Sequence, residues 1–377
     1  LYGVTFGDNT FVAVGKTGAI RTSSDNGSSW DNGTSGTTYY FNEVTYGDST
    51  FIAVGQSGKI ITSSDNGSSW DNSTQAITTA QLTGVAFGDD VGIAVASTDI
   101  LRSRNDNGSN WVQSNSMDDV YDVVFGNRTA SGEVTTVDTI TDNGSHNNGT
   151  YTSVALSGGS GSGAKATVIL SGDNGSSNVT SVSITDGGTG LYQIGDVLTI
   201  DNATIGGDDN ATCRVATVTV TSKVFVGVGN DGKVCYSTNY KDNTETWSCP
   251  QEIVDDKQLY GITYGNNKFI AVGESGTVIR SDNGTNWTED LSGNSNTSAN
   301  LYSIAFGNGR FVAVGSYAVI VSTNNGDSFT LTETNYIFKD ISFGNGVFVA
   351  VGSGEIIYTS TGGGLSDGDT WTKVHGR

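Results

Sequence analysis

The chain has 377 residues and a formal net charge of −21, with 18 Lys and Arg against 39 Asp and Glu, 53 glycines and one proline, Pro250. That charge repels polyanions and anionic bilayers, which argues against nucleic acid and acidic membrane surfaces as partners. No apolar run reaches the roughly 18 residues of a membrane helix; three cysteines make no disulfide framework; two histidines, with no Cys or His at ligand spacing, argue against a metal site.

Val, Ile, Thr, Phe and Tyr alternate with small or polar residues throughout, which predicts an all-β chain. It opens on Leu1 rather than methionine and reads as a segment of something longer. From the N-terminus, a short apolar-polar-aromatic-glycine strand recurs as VTFG, VTYG, VAFG, VVFG, ITYG, IAFG and ISFG. These copies close on Gly7, Gly47, Gly88, Gly126, Gly265, Gly307 and Gly344. After a tight turn comes a second strand, TFVAVG at Thr10 to Gly15, with relatives at Phe51, Phe225, Phe269, Phe311 and Phe348; copy three departs as GIAVAS. A third strand follows, reading AIRTSS, KIITSS, VIRS, VIVST or IIYTS, and then a short polar fourth. Four strands per copy at a period of about forty predict a seven-bladed β-propeller of four-stranded antiparallel blades.

Strands three and four are joined by a polar turn ending in tryptophan. The stretch SSDNGSSW occurs identically at Ser23 to Trp30 and Ser63 to Trp70. Full matches to Ser-x-Asp-x-Gly-x-x-Trp are Asp25, Gly27, Trp30 and Asp65, Gly67, Trp70; partial matches are Asp106, Gly108, Trp111 and Asp282, Gly284, Trp287. Copy six has Asn324, Gly326 and Phe329, and copies four and seven are stretched, ending at Trp247 and Trp371. The Asp is expected to accept turn amides, the glycine to take positive φ, and the tryptophan to cover the hairpin. All six tryptophans fall on this position, which argues for packing rather than ligand contact. Truncating Trp70 is then expected to cost about 3–5 kcal/mol, as for a buried aromatic. A lone turn Asp does not gather the oxygens that calcium needs.

The interval between Gly126 and Gly265 is about a hundred residues too long. The excess, 128–222, is rich in Gly, Ser, Thr and Val, with strand-like runs KATVIL, VTSVSI, DVLTI and RVATVTV. Its paucity of aromatics fits a disordered loop; its regular apolar alternation argues instead for a small all-β domain inserted in blade four. The expected organisation is blades one to three and the first strand of blade four in 1–127, the insert in 128–222, and the remainder in 223–377.

The tryptophan-ended turn resembles the Asp-box of sialidases and of the photosystem II assembly factor, a likeness that implies fold far better than function. NNGTYTSVALSGGSGSGAKATV and VTSVSITDGGTGLYQIGDVLTI resemble modules of virion structural proteins of tailed phages, notably cyanophages. The sialidase likeness implies three arginines around a substrate carboxylate. Of the eight here, none lies on a first strand, and Arg21, Arg102 and Arg280 lie on third strands, so that activity is not expected. His146 and His375 lack a marked nucleophile, and GGSGSGAKAT lacks the ending of a phosphate loop.

Binding remains. The loops between blades, including NGTSGTTYYF and SCPQEIVDDK, offer Tyr39, Tyr40, Asp255 and Asp256 as a candidate surface. The reading is a non-enzymatic virion component (tail fibre, appendage or capsid decoration) without cofactor, contacting other virion proteins and a host-surface glycan or receptor. The alternatives are a glycan hydrolase using the acidic pairs Asp118-Asp119 or Asp255-Asp256 and a secreted adhesin. Cys235 and Cys249 flank one turn on adjacent strands, so a disulfide is conceivable; assembly in a reducing cytosol predicts free thiols.

Overall fold

A computed structural model describes residues 1–72, 77–104, 108, 110–114, 119–127, 134–141, 146–159, 161–171, 178–186, 189–190, 196–205, 211–218, 223–242, 245–254, 256–288, 295–364 and 370–376. The protein is all-β apart from single helical turns such as Asn202–Ile205. It divides into two compact units, one of Leu1–Gly126 with Val224–Arg377 and one of Asn127–Lys223.

In the first unit each sequence copy forms an antiparallel meander. Copy one is Gly3–Gly7, Thr10–Val14, Ala19–Ser23 and Asp31–Thr34, in that spatial order. Copies two and five have three full strands, and a bridge at Thr62–Asp71 or Arg280–Thr288 stands for the fourth. Copies six and seven share one six-stranded sheet, because Thr330–Gly344 serves as last strand of one and first of the next. In copy six the second and third strands also run on as Arg310–Ser322. There Tyr317 holds the left-handed conformation (φ 62°) that Thr17, Ser57, Asp231 and Ser275 hold in other copies.

The hairpin between first and second strands closes on two residues of positive φ at Asp8-Asn9, Asp48-Ser49, Asp89-Asp90, Asn266-Asn267, Asn308-Gly309 and Asn345-Gly346. This is the two-residue turn whose twist matches that of paired strands. In copy four Val120–Asn127 and Lys223–Gly229 are neighbours in one sheet, as in every other copy, yet the second unit's residues lie between them in sequence. Replacing 128–222 by an Asn-Gly turn is therefore expected to leave a cooperatively folding protein with near-parental melting temperature, since loop closure changes little. Loss of the cooperative transition in calorimetry would defeat this assignment of the strands.

Second strands are buried beyond their first residue; Phe11, Val12, Ala13 and Val14 are inaccessible to solvent. The apolar clusters bridge consecutive copies: Val12 and Phe51 share one, Ile52 and Val85 the next, and Phe11 and Val349 join the first copy to the last. Each first-strand glycine lies under an aromatic ring of the following copy. A Cβ on Gly7 would stand 2.0 Å from the Tyr46 ring, one on Gly47 1.9 Å from Phe87, and one on Gly344 2.0 Å from Phe6. The glycines thus set the spacing of neighbouring sheets.

The second unit is a six-stranded sheet in the order Val134–Thr141, Ala211–Val218, Val197–Ile200, Gly149–Gly158, Lys165–Ser171 and Asn178–Asp186. Its own core gathers Val154, Leu156, Val168, Leu170, Leu198 and Ile200. His146 is buried there.

Cys235 and Cys249 form a disulfide, which corrects the expectation of free thiols. They lie on the paired strands Lys233–Ser237 and Ser248–Glu252, with Cα atoms 4.2 Å apart, so hairpin geometry brings the sulfurs together whatever compartment is assumed.

Candidate functional site

First strands pair with a partner on one side only, leaving an edge of unpaired amides. The opposite edges converge on a cavity of about 410 Å³, lined by every one of the seven copies. One strand position supplies Tyr2, Thr83, Tyr121, Tyr260, Tyr302 and Lys339, with Asn42 in copy two; Gln81 and Gln258 lie just before their strands. Tyr121 and Tyr260 stack at 6.4 Å between ring centroids, Tyr260 and Tyr302 meet at 5.5 Å with their planes tilted by 51°, and the Lys339 ammonium sits 4.0 Å over the Tyr302 ring.

The next strand position reads Gly3, Glu43, Gly84, Asp122, Gly261, Ser303 and Asp340. The acids serve the edge amides. Asp340 Oδ2 accepts from Val4 N–H of copy one at 2.6 Å, and Asp122 takes Val123 N–H at 2.7 Å and Ile262 N–H of copy five at 3.0 Å. Glu43 Oε1 accepts from Val44 N–H, and Ser303 Oγ–H donates to Asp340. Glycine stands here in copies one, three and five, where the backbone of the following copy leaves no room: a Cβ on Gly3 would lie 2.8 Å from the Glu43 backbone, and one on Gly84 2.8 Å from that of Asp122.

The candidates named from sequence lie elsewhere. Tyr39 and Tyr40 are exposed and outside the cavity lining. Tyr40 accepts Gln56 N–H just as Gln258, which does line the cavity, accepts Glu274 N–H. Asp256 is exposed in a turn with φ 56°; Asp106, Asp118 and Asp255 lie outside the described residues.

The tryptophan turns are self-contained. Asp25 Oδ1 accepts from Ser29 N–H and Ser23 Oγ–H; Gly27 N–H donates to Ser23 Oγ; Trp30 Nε1–H donates to Gly27 O. The bonds from the Ser29 hydroxyl and amide, joined by that from Ser23, hold the Asp25 carboxyl down at about 2. The same bonds recur at Asp65, Gly67 and Trp70. Trp111, Trp287 and Trp371 donate to Gly108, Gly284 and Gly363.

Two expectations change here. In copy five the turn is one residue shorter, so Asn283 rather than Asp282 accepts the amides of Thr285 and Asn286; Asp282 is exposed and pairs with Lys268. Trp70 is half-buried, so its truncation should fall below the range for a buried aromatic; Trp111, 5% exposed, is the buried one.

No protein-family model matches the chain, and no curated protein matches it in sequence. Among solved structures, the WD40 β-propeller domain of Doa1 aligns over 95% of this chain and 91% of its own, at 12% identity and a TM-score of 0.54. A chain of the mitotic checkpoint complex aligns over 95% and 86%, at 7% identity and 0.55. The chain is a β-propeller. YCF48 bound to a D1 peptide is similar over 88% of this chain and 77% of its own, at 13% identity and a TM-score of 0.44.

The propeller's cavity is electrostatically unusual. Enclosure by the first strands pushes the Asp122 carboxyl up to about 7 and that of Asp340 up to about 6, against the amide bonds that pull them down. Burial, with the charges of Asp340 and Asp122 added, holds Glu43 well above the carboxylate range. Among the described residues no arginine lines the cavity, and none form a group of three His, Cys, Asp or Glu able to hold a metal ion.

The sign of the pH effect follows. Below about 4 these carboxyls are protonated in both folded and unfolded chains. Between about 4 and 7 the unfolded chain sheds protons that the folded one keeps, so stability falls as pH rises and levels off above about 7. Asp25 and Asp65, held low, lose their contribution only in more acid solution. The melting temperature of the wild type is therefore expected to fall from pH ~5 to pH ~8, and Asp122→Asn should flatten the slope. A flat or rising wild-type profile would contradict the assignment.

Proposed function

We propose that the propeller has seven four-stranded blades, with 128–222 as a small β-domain inserted in the fourth, and that it is a non-enzymatic binding protein. In this reading it is a surface component of a tailed-phage virion, and it holds a host-surface glycan or receptor in the cavity of the first strands. The observation that carries the binding role is the cavity itself, to which all seven copies contribute and whose wall sets tyrosine, amide and hydroxyl groups beside Glu43, Asp122, Asp340 and Lys339. Its volume of about 410 Å³ suits a small ligand. Tyrosine faces receive the apolar face of a sugar ring, and Asn42, Gln81, Gln258 and Thr83 offer hydrogen bonds to hydroxyls.

The glycine–aromatic contacts that run from copy to copy and return from Gly344 to Phe6 support seven blades. The bonds of the tryptophan turns support reading them as Asp-boxes with a packing role. Non-enzymatic action is favoured because Asp122 and Asp340 spend their oxygens on strand amides rather than holding them toward a substrate. The virion assignment rests on the resemblance of 147–200 to phage structural modules.

The test is a glycan array with the wild type, Tyr260→Ala, and Tyr39→Ala/Tyr40→Ala. Loss of binding in Tyr260→Ala alone supports the cavity. Loss only in the double loop variant would move recognition to the outer loops, and turnover of any bound glycan would replace the binding reading with a hydrolase. Detection of the chain in purified particles by mass spectrometry tests the virion role.

A further inference from the structure

Building on the glycan reading of the cavity, we propose that its preferred ligand is a sugar carrying a protonated primary amine. Three features converge. Tyr121, Tyr260 and Tyr302, from three successive copies, make one continuous aromatic wall. That wall already receives an ammonium: Lys339 Nζ lies 4.0 Å over the Tyr302 ring, which shows that a primary amine is accommodated against these faces. Behind the wall, at the next strand position, stand Glu43, Asp122 and Asp340, with Lys339 as the one cation of the lining.

An uncharged sugar would use the wall and amides without drawing on the acids. An acidic sugar would meet both these carboxylates and a chain of net charge −21. An ammonium meets the tyrosine faces and is drawn by the acids at the next strand position while their bonds to strand amides stay in place. Burial raises the affinity of Glu43, Asp122 and Asp340 for protons. A bound ammonium would draw them toward ionisation, so binding should release protons. Other titratable groups facing the region are Tyr2, Tyr121, Tyr260 and Tyr302 in the lining, with Asp119, Asp231 and Glu274 beside Tyr121 or Tyr260.

The experiment is titration calorimetry with oligomers of glucosamine, of N-acetylglucosamine and of galacturonic acid, equal in length, at near-neutral pH. The amine form should bind roughly tenfold or more tightly than the acetylated form, the scale of one desolvated cation–aromatic contact. Its affinity should fall with added salt, and its heat should depend on the buffer through proton release. Glu43→Gln should shrink the preference toward parity; the salt and buffer readouts need no variant. Equal or tighter binding of the acetylated oligomer in the cavity would overturn the amine inference and leave the glycan reading standing. Absence of binding by all three would overturn both.

Discussion

Glu245→Ala is expected to destabilise the propeller by about 3–5 kcal/mol, the cost of breaking a buried ion pair by removing one partner. Glu245 and Arg102 are 2% and 6% exposed, and Arg102 Nη1 lies 3.0 Å from Glu245 Oε2. The same guanidinium nitrogen donates to Tyr240 O and Asp242 O, so Arg102 of copy three clamps the turn of copy four. Glu245 also accepts from Ser114 Oγ–H at 2.9 Å and from Trp247 Nε1–H at 2.7 Å. In copy four, then, a carboxylate takes the indole proton that a glycine carbonyl takes elsewhere. Alanine leaves the arginine charge buried and two donors unserved. Replacing both partners, Arg102→Met with Glu245→Leu, should cost less than Glu245→Ala alone, because no charge is then stranded. Urea unfolding of the three variants checks this; a loss below about 1 kcal/mol for Glu245→Ala would show the pair to be solvated.

Trp111→Ala is expected to cost about 3–5 kcal/mol, the range for a fully buried large aromatic. Trp111 packs among Ile52, Val54 and Ile60 of copy two and Val85, Ala94 and Leu101 of copy three, so its loss opens a void between two sheets. It also removes the 2.7 Å bond to Gly108 O. Trp70→Ala should cost visibly less, since half-burial leaves less area to lose. Equal losses for the two in thermal unfolding would mean that the shared turn, not burial, sets the cost.

Much of this was legible in the chain. The copies ending on Gly7, Gly47 and Gly88 mark first strands, because strand alternation and turn residues are local properties that each copy states again. The turn at Asp25, Gly27 and Trp30 was equally readable, since its bonds span at most four residues. Asp282 misled because the pattern counts residues, whereas the turn selects the side chain two positions after its serine, here Asn283.

The cavity had a signal that spacing alone does not rank. Aligned, the first strands read YGVTFG, NEVTYG, TGVAFG, YDVVFG, YGITYG, YSIAFG and KDISFG, with Glu43, Asp122 and Asp340 at a position otherwise glycine or serine. Attention to exposed loops favoured Tyr39 and Tyr40, whose polarity is visible in one copy, over residues whose meaning needs all seven.

The sequence by itself determined the strands, their hairpins and the repeat, because these follow from backbone conformation and side-chain alternation over a few residues. Only the tertiary structure decided which carboxylates meet across copies, that Arg102 finds Glu245, that Cys235 reaches Cys249, and that three tyrosines from different copies share one wall. Those outcomes depend on distances between segments 14 to 336 residues apart, and such distances are fixed by how the sheets pack around their common cavity rather than by any local preference of the chain.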